Sequence, residues 1–125
     1  MQFDATQSTA PSSRAIGRTG EEMAVNYLLA AGYTIISRNF QSKKGEIDCI
    51  AKDPHGTLAF IEVKYAKTSS LGHPARWVTW GKQKRIIAMA RRYLGEHGLS
   101  SQACRFDVIA IINTKIEHIK NAFLS

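Results

Sequence analysis

The chain has 125 residues, 44% of them hydrophobic, and 17 Lys+Arg against 10 Asp+Glu for a net charge of +7. That length carries one domain with a core and excludes a second, and no segment approaches the roughly 20 apolar residues of a membrane-spanning helix. The two cysteines, Cys49 and Cys104, exclude a disulfide framework or a cysteine-rich zinc module, while the basic excess, with a sequence pI near 9.7, favours phosphate-backbone contacts that weaken with salt.

Residues 1–15, with Ser, Thr, Gln and Pro but no long apolar segment, read as a flexible tail rather than a signal peptide, which places the protein in the cytoplasm; residues 16–125 read as one domain. A helix is expected over 20–31. Thr19 and Glu22 have the spacing of a capping box, Ala24, Val25 and Leu28 form an inward stripe, and Gly32 is placed to end the helix. Glu21 projects from that stripe. It is either a site carboxylate aimed at the sheet or a residue favoured near a helix N-terminus by the dipole. A strand is expected over 34–39.

The next segment is the most informative. In Asp53-Pro54-His55-Gly56, Pro54 has the φ wanted at the second position of a type I turn, and Gly56 can take the left-handed conformation that closes a bulged hairpin. Counting outward places Ile50 opposite Phe60, Asp48 opposite Glu62 and Glu46 opposite Lys64. Directly opposed residues have Cβ atoms about 5 Å apart, so two carboxylates held there call for a cation, a shared proton or a basic neighbour. Alternation places Asp48, Glu62 and Lys64 on one face and Ile47, Cys49, Ala51, Ala59, Ile61 and Val63 on the other, under a helix.

A hard divalent cation is commonly held by one or two carboxylates, waters and substrate phosphate oxygens. Asp48 and Glu62 could supply the carboxylates for Mg²⁺ or Mn²⁺, with the Ile61 or Val63 carbonyl as a further ligand. Lys64 could position or help deprotonate a bound water, or neutralise developing charge. The plainer alternative is a solvated strand face with a cross-strand ion pair. The conjunction of Glu62-Val63-Lys64 with an aspartate at the matching register favours the site.

A second helix is expected over 81–96, with Ile86, Ile87, Ala90, Tyr93 and Leu94 inward and Lys84, Arg85, Arg91 and Arg92 on the far side. Gln83 falls within the apolar arc and Lys82 at its edge, as site residues or as simple helix-start residues. The loop over 69–78 precedes it. Trp77 or Trp80 could stack on a base or anchor the loop. Strands over 105–112 and 115–118 complete the map; Asp107 could approach the site from its strand, with a structural pair to Arg105 or another cation as the preferred reading. Cys49 and Cys104 read as buried strand thiols, and no histidine clusters with either. Lys43, Lys44, Lys67, Arg76, Lys82, Gln83 and Arg85 are the residues expected to meet nucleic acid.

Asp48 followed by Glu62-Val63-Lys64 resembles the core motif of the PD-(D/E)XK nuclease superfamily. The ordered set of Gly20-Glu21, Ala24, Tyr27-Leu28, Gly32-Tyr33, Asn39, Gly45-Glu46-Ile47-Asp48, 60–64, 105–108 and Asn121-Ala122-Phe123 is similar to the bacterial YraN family, often compared with Holliday-junction resolvases. The resemblance runs from about Gly17 to the C-terminus. It implies a restriction-endonuclease-like α/β fold, a mixed central β-sheet flanked by α-helices. The superfamily resemblance also implies divalent-metal hydrolysis of DNA, with Glu21 as a fourth acidic residue from the first helix as in resolvase-like members, whereas the resemblance to the YraN family implies only a nuclease-like scaffold. The chain departs from the pattern at Ile47, where the superfamily has proline, and at Gln41 and Ala66, where arginine is expected; Lys43, Lys44 and Lys67 lie close enough to substitute.

The function expected is a Mg²⁺- or Mn²⁺-dependent DNA endonuclease acting on branched DNA, with Asp48 and Glu62 binding metal, Lys64 assisting and Glu21 as the further member. The alternatives are a nucleic-acid-binding module that keeps the scaffold without cutting, and an assembly protein with a basic interaction surface. A homodimer would suit cleavage of paired strands. No membrane partner is expected.

Overall fold

The computed structural model describes residues 13–66 and 74–124. In chain order these form α1 (Ser13–Ala30), β1 (Thr34–Ser42), β2 (Gly45–Lys52), β3 (Leu58–Ala66), a 3-10 turn (Pro74–Trp77), α2 (Trp80–Glu96), β4 (Cys104–Ile112) and β5 (Lys115–Phe123). The strands make one five-stranded sheet in sequence order. Neighbours run antiparallel except β3 and β4, which are parallel because the chain crosses over through α2 between them. This is the α/β architecture expected, a mixed central sheet flanked by helices. No described helix is long and apolar enough to cross a membrane.

Both faces of the sheet are covered. Ala24 and Leu28 of α1 pack on Cys49, Ala51, Ala59, Ile61, Ile109 and Ile111. Ile86, Met89, Tyr93 and Leu94 of α2 pack on Ile50, Leu58, Phe60, Phe106 and Val108. Two-sided burial explains why 58–61 and 106–111 are nearly continuous apolar runs rather than alternating ones. Met89 belongs to the buried stripe of α2 and Ile87 only to its margin, one step round the helix from the expected set.

The helices start differently from the sequence expectation. α1 begins at Ser13, so Thr19 lies inside it and caps nothing; Glu22 instead receives a hydrogen bond from Arg38 at 2.7 Å. Its end is as expected. With Gly32 at φ 89, Tyr33 N–H reaches the Leu28 carbonyl at 2.9 Å and Gly32 N–H the Leu29 carbonyl at 3.1 Å, the paired bonds that close a helix on a left-handed glycine. α2 is capped by Thr79, whose hydroxyl accepts the Lys82 N–H at 3.2 Å. Of the expected tail, 1–12 lie outside the described residues, as does Lys67.

The hairpin forms as read from its turn. Asp53 Oδ1 accepts the N–H groups of His55 and Thr57 at 2.8 and 3.0 Å, Gly56 takes φ 93, and Ile50 pairs with Phe60. The ladder then stops at Cys49 and Ile61, so Asp48 and Glu62 share the extrapolated register without being laddered, and Glu46 pairs with Gln41 of β1 rather than with Lys64 of β3.

The cause lies on β1. Asn39 takes a left-handed φ of 56, a conformation that asparagine adopts more readily than other side chains. Arg38 and its partner Cys49 face α1, as the Arg38–Glu22 bond shows. Two residues on, Phe40 and its partner Ile47 face α2 and pack with Tyr93. Alternation therefore breaks at Asn39 and Asp48. This corrects the expected placement of Ile47 beside Cys49, and it leaves Asp48 between a residue facing each helix.

A buried polar network lies on the α1 face of the sheet. Arg105 donates to both Asp107 oxygens at 3.1 Å, to Asp53 at 2.6 Å and to Tyr33 at 2.6 Å. His118 Nε2 meets Asp107 at 2.7 Å and its Nδ1 meets the Tyr27 hydroxyl at 3.1 Å. Asn121 N–H adds a bond at 3.1 Å, so the fully buried Asp107 is satisfied, as a buried charge must be. The hydrogen bond from Arg105 holds the Asp53 carboxyl down at about 2. Cys49 is buried and its thiol is pushed up to about 11 by burial. Cys104 is exposed, against the expectation of a buried thiol, because it stands at the first position of its strand.

Candidate metal and nucleic-acid site

Beyond Ile61, β3 leaves β2 yet stays paired with β4 as far as Ala66. The opening between β2 and β3 is where the charged residues gather. Continuing the ladder's alternation would give Val63 N–H to the Ile47 carbonyl. Asp48 takes its place: its Oδ2 accepts the Val63 N–H at 2.8 Å.

Glu62 has the same orientation as Phe60, toward α2, and is only 3% exposed. The sequence expectation of one solvated charged face and one buried face is thus corrected, since both faces lie under helices. Burial of Glu62 is tolerated because two ammonium groups serve it. Lys82, from the first turn of α2, is bonded to Glu62 Oε2, and Lys64 Nζ stands 3.6 Å from the same oxygen. Glu62 Oε1 is buried with no hydrogen-bond partner.

The electrostatics follow from this crowding. Asp48 is pushed up to about 7, first by burial and then by the neighbouring Glu62 charge, with Glu21 and Glu46 adding to the rise and the Val63 N–H opposing it. For Lys82, burial pulls the pKa down, but the bond and charge of Glu62 together with Asp48 outweigh it, and the net direction is up. Glu21 is half-buried and makes itself felt at Asp48 through its charge.

Among the described residues, no group of three or more Asp, Glu, His or Cys side chains is placed to hold a metal ion. Two carboxylates are nonetheless sufficient for a cation that keeps waters and takes its remaining ligands from backbone and substrate. The unpartnered Oε1 of Glu62, beside an aspartate whose ionisation is hindered by that same glutamate, has the donor chemistry such an ion satisfies. The residues fit.

The other expected residues are spread around this centre. Lys43, Lys44, Arg76 and Arg85 are exposed. Gln83 is committed to the helix start: its Nε2 donates to the Val78 carbonyl at 2.9 Å. Lys82, read from sequence as a nucleic-acid contact, is engaged by Glu62. The signal that could have found it is Thr79, whose capping fixes Lys82 at the third helical position, close above β3. A groove of about 540 Å³ between the β1–β2 hairpin and α2 is lined by Lys43, Lys44 and Arg92 around an apolar floor of Phe40, Ala88 and Met89. Trp80 is 70% exposed with Lys84 Nζ 4.0 Å above its ring.

A family model described as uncharacterised protein family UPF0102 matches residues 20–111. A UPF0102 protein of Chlorobium phaeobacteroides is 46% identical over 120 residues, covering 88% of this chain and 94% of the other. One of Ralstonia nicotianae is 44% identical over 116 residues, covering 90% and 89%, and one of Persephonella marina is 43% identical over 107 residues, covering 86% and 91%. Among solved structures, a repair endonuclease from Pyrococcus abyssi is matched at 15% identity and a TM-score of 0.40, over 85% of this chain and 40% of that one. The family match over most of the chain, with relatives similar along nearly their full length, establishes that this chain belongs to the UPF0102 family.

Proposed function

We propose that the protein is a cytoplasmic, divalent-metal-dependent DNA endonuclease that hydrolyses phosphodiester bonds, with branched DNA as its preferred substrate. One observation carries this reading: Asp48 and Glu62 converge where β2 and β3 part, and Glu62 Oε1 is buried there without a partner. Lys64 and Lys82 serve Oε2 alone, and a buried oxygen left without a partner is costly, so a cation at Oε1 would complete the site.

Asp48 and Glu62 would hold Mg²⁺ or Mn²⁺, with the Ile61 or Val63 carbonyl and water as further ligands. A bound divalent ion supplies an activated water and neutralises charge on the phosphorus oxygens. Lys64, with its ammonium 3.6 Å from Glu62, donates to the attacking water or to a phosphate oxygen and so fixes the line of attack. The Val63 N–H, bonded to Asp48 Oδ2, holds that carboxylate in one orientation. Glu21 adds negative potential from α1. Water attacks phosphorus and gives its proton to solvent as the new bond forms, the bond to the leaving oxygen breaks, and the leaving alkoxide takes a proton from solvent.

Exposed Lys43, Lys44, Arg76 and Arg85, with Lys67, contact the phosphate backbone on either side of the scissile bond, and Gln83 shapes the start of α2 beside it. Trp80 offers a ring on which an unpaired base stacks, which favours branched or single-stranded regions over continuous duplex. A homodimer would bring two such centres to paired strands.

A second reading has its own support. Lys82 seated on Glu62, with only two carboxylates converging, suits a scaffold that binds nucleic acid without cutting it. Incubation with linear, single-stranded and four-way-junction DNA in Mg²⁺, Mn²⁺ or chelator separates the two. Metal-dependent cutting abolished by Glu62→Ala supports the nuclease, and binding without cutting under either metal supports the module.

A further inference from the structure

The first turn of α2 is joined to the buried carboxylate of β3 by the contact of Lys82 Nζ with Glu62 Oε2. Lys64 stands on the same oxygen at 3.6 Å. Two ammonium groups therefore hold the buried Glu62 in balance before any ion is bound. A divalent ion taken up at Glu62 Oε1 and Asp48 upsets that balance. An ammonium and a doubly charged ion held on the same carboxylate repel one another.

The two lysines differ in their hold on Glu62. Lys64 stands 3.6 Å from Oε2, whereas Lys82 is in direct contact with it from the first turn of α2. Both side chains are about a third exposed, and the four-carbon stem of Lys82 can swing its ammonium outward. Lys82 is thus the ammonium that a cation on Glu62 meets most closely and has to displace.

Resting on the nuclease reading above, we propose that Lys82 is an exchangeable counter-ion: it holds Glu62 while the centre is empty, and it moves onto a phosphate oxygen of the nucleic acid when a divalent ion takes its place. Lys82 is a positioning residue in this scheme. It couples the two ligands, because DNA that accepts the displaced ammonium favours ion uptake, and ion uptake frees an ammonium for DNA. Coupling of this kind is reciprocal, so each ligand tightens the other by the same factor.

The test uses the full chain with wild-type Lys82, Lys82→Met and Lys82→Arg. Mn²⁺ affinity is followed by electron paramagnetic resonance at pH 8, with and without a short duplex held at 4 °C and checked to be uncut. Without DNA, Lys82→Met is expected to bind Mn²⁺ about tenfold more tightly than wild type, and Lys82→Arg to stay near wild type. Added DNA tightens Mn²⁺ binding in wild type, and that gain shrinks to about twofold or less in Lys82→Met. With Mn²⁺ present, the slope of log DNA affinity against log salt is expected to fall by about 0.9 in Lys82→Met, the loss of one phosphate contact; without Mn²⁺ the slopes coincide.

Should Lys82→Met fail to fold, Lys82→Gln carries the same expectations, since its amide can still donate to Glu62 without the charge. Mn²⁺ affinity and salt slope unchanged by removing the ammonium would overturn the exchange while leaving the nuclease reading intact. Wild-type protein that takes up no Mn²⁺ with or without DNA would overturn both.

Discussion

Asp48 Oδ2 accepts the Val63 backbone N–H at 2.8 Å, so a side chain stands where the next hydrogen bond between β2 and β3 would fall. One carboxylate thereby both joins the strands and marks the point where they separate. Asp48→Asn keeps a carbonyl oxygen for Val63 and is expected to fold. Asp48→Ala orphans the N–H and should be less stable than Asp48→Asn by about 1–3 kcal/mol in urea unfolding. Both should lose Mn²⁺ binding in the same titration. Equal stability of the two variants would remove the structural half of this role.

The elevated Asp48 pKa makes stability depend on pH in a stated direction. With the folded value near 7 and the unfolded value near 3.9, the folded state holds the extra proton between them, so this contribution is fully present below about pH 4 and lost as pH rises through 7. In chelator, the melting temperature of wild type should therefore fall relative to Asp48→Asn between pH 5 and pH 8. Added Mn²⁺ should restore it at pH 8, by binding the folded state alone. A melting difference between wild type and Asp48→Asn that does not change with pH would contradict the shift.

Arg105 bridges two carboxylates of different elements, with side chains 11% exposed for Arg105 and fully buried for Asp107. Removing one partner of a buried pair costs about 3–5 kcal/mol, chiefly through the charge left behind. Arg105→Met should reach that figure in denaturant, while Arg105→Met/Asp107→Asn recovers part of it. The Mn²⁺ affinity of whatever remains folded should be close to wild type, because the network lies on the α1 face of the sheet and Glu62 faces α2.

Trp80 provides the most direct probe of nucleic-acid contact. Its indole is 70% exposed, so Trp80→Ala should leave the melting temperature nearly unchanged. Stacking is worth about 1–3 kcal/mol per base, and the variant should lose roughly tenfold or more in affinity for single-stranded or junction DNA with a smaller loss on duplex. Quenching of tryptophan fluorescence by oligonucleotide in Trp77→Phe, absent in Trp80→Phe, would place the contact on this ring. Equal losses on all DNA forms would remove its role in substrate choice.

Local chemistry was legible where it is short in range. The Asp53-Pro54-His55-Gly56 turn set the hairpin and its register because proline fixes φ and glycine admits the left-handed φ that other residues resist, whatever surrounds them. Gly32 ended α1 for the same reason. The stripe of α2 was placed to within one residue, with Met89 taking the part expected of Ile87. The start of α1 was misread, since a capping-box spacing also occurs inside helices and nothing local to Thr19 distinguishes the two.

The order of elements, the turn between β2 and β3 and the register that brings Asp48 toward Glu62 follow from turn chemistry and hydrophobic period along the chain. Which way those side chains face depends on how the strands and helices pack together. The left-handed Asn39 turns Phe40 and Ile47 over to α2, and a one-residue irregularity reverses a face that alternation alone would assign. Only folding, too, brought Lys82 onto Glu62, residues on separate elements, and bound Asp107 to Arg105 and His118. Contacts across the core depend on how helices settle on the sheet, and pattern along a single strand or helix does not carry that distance.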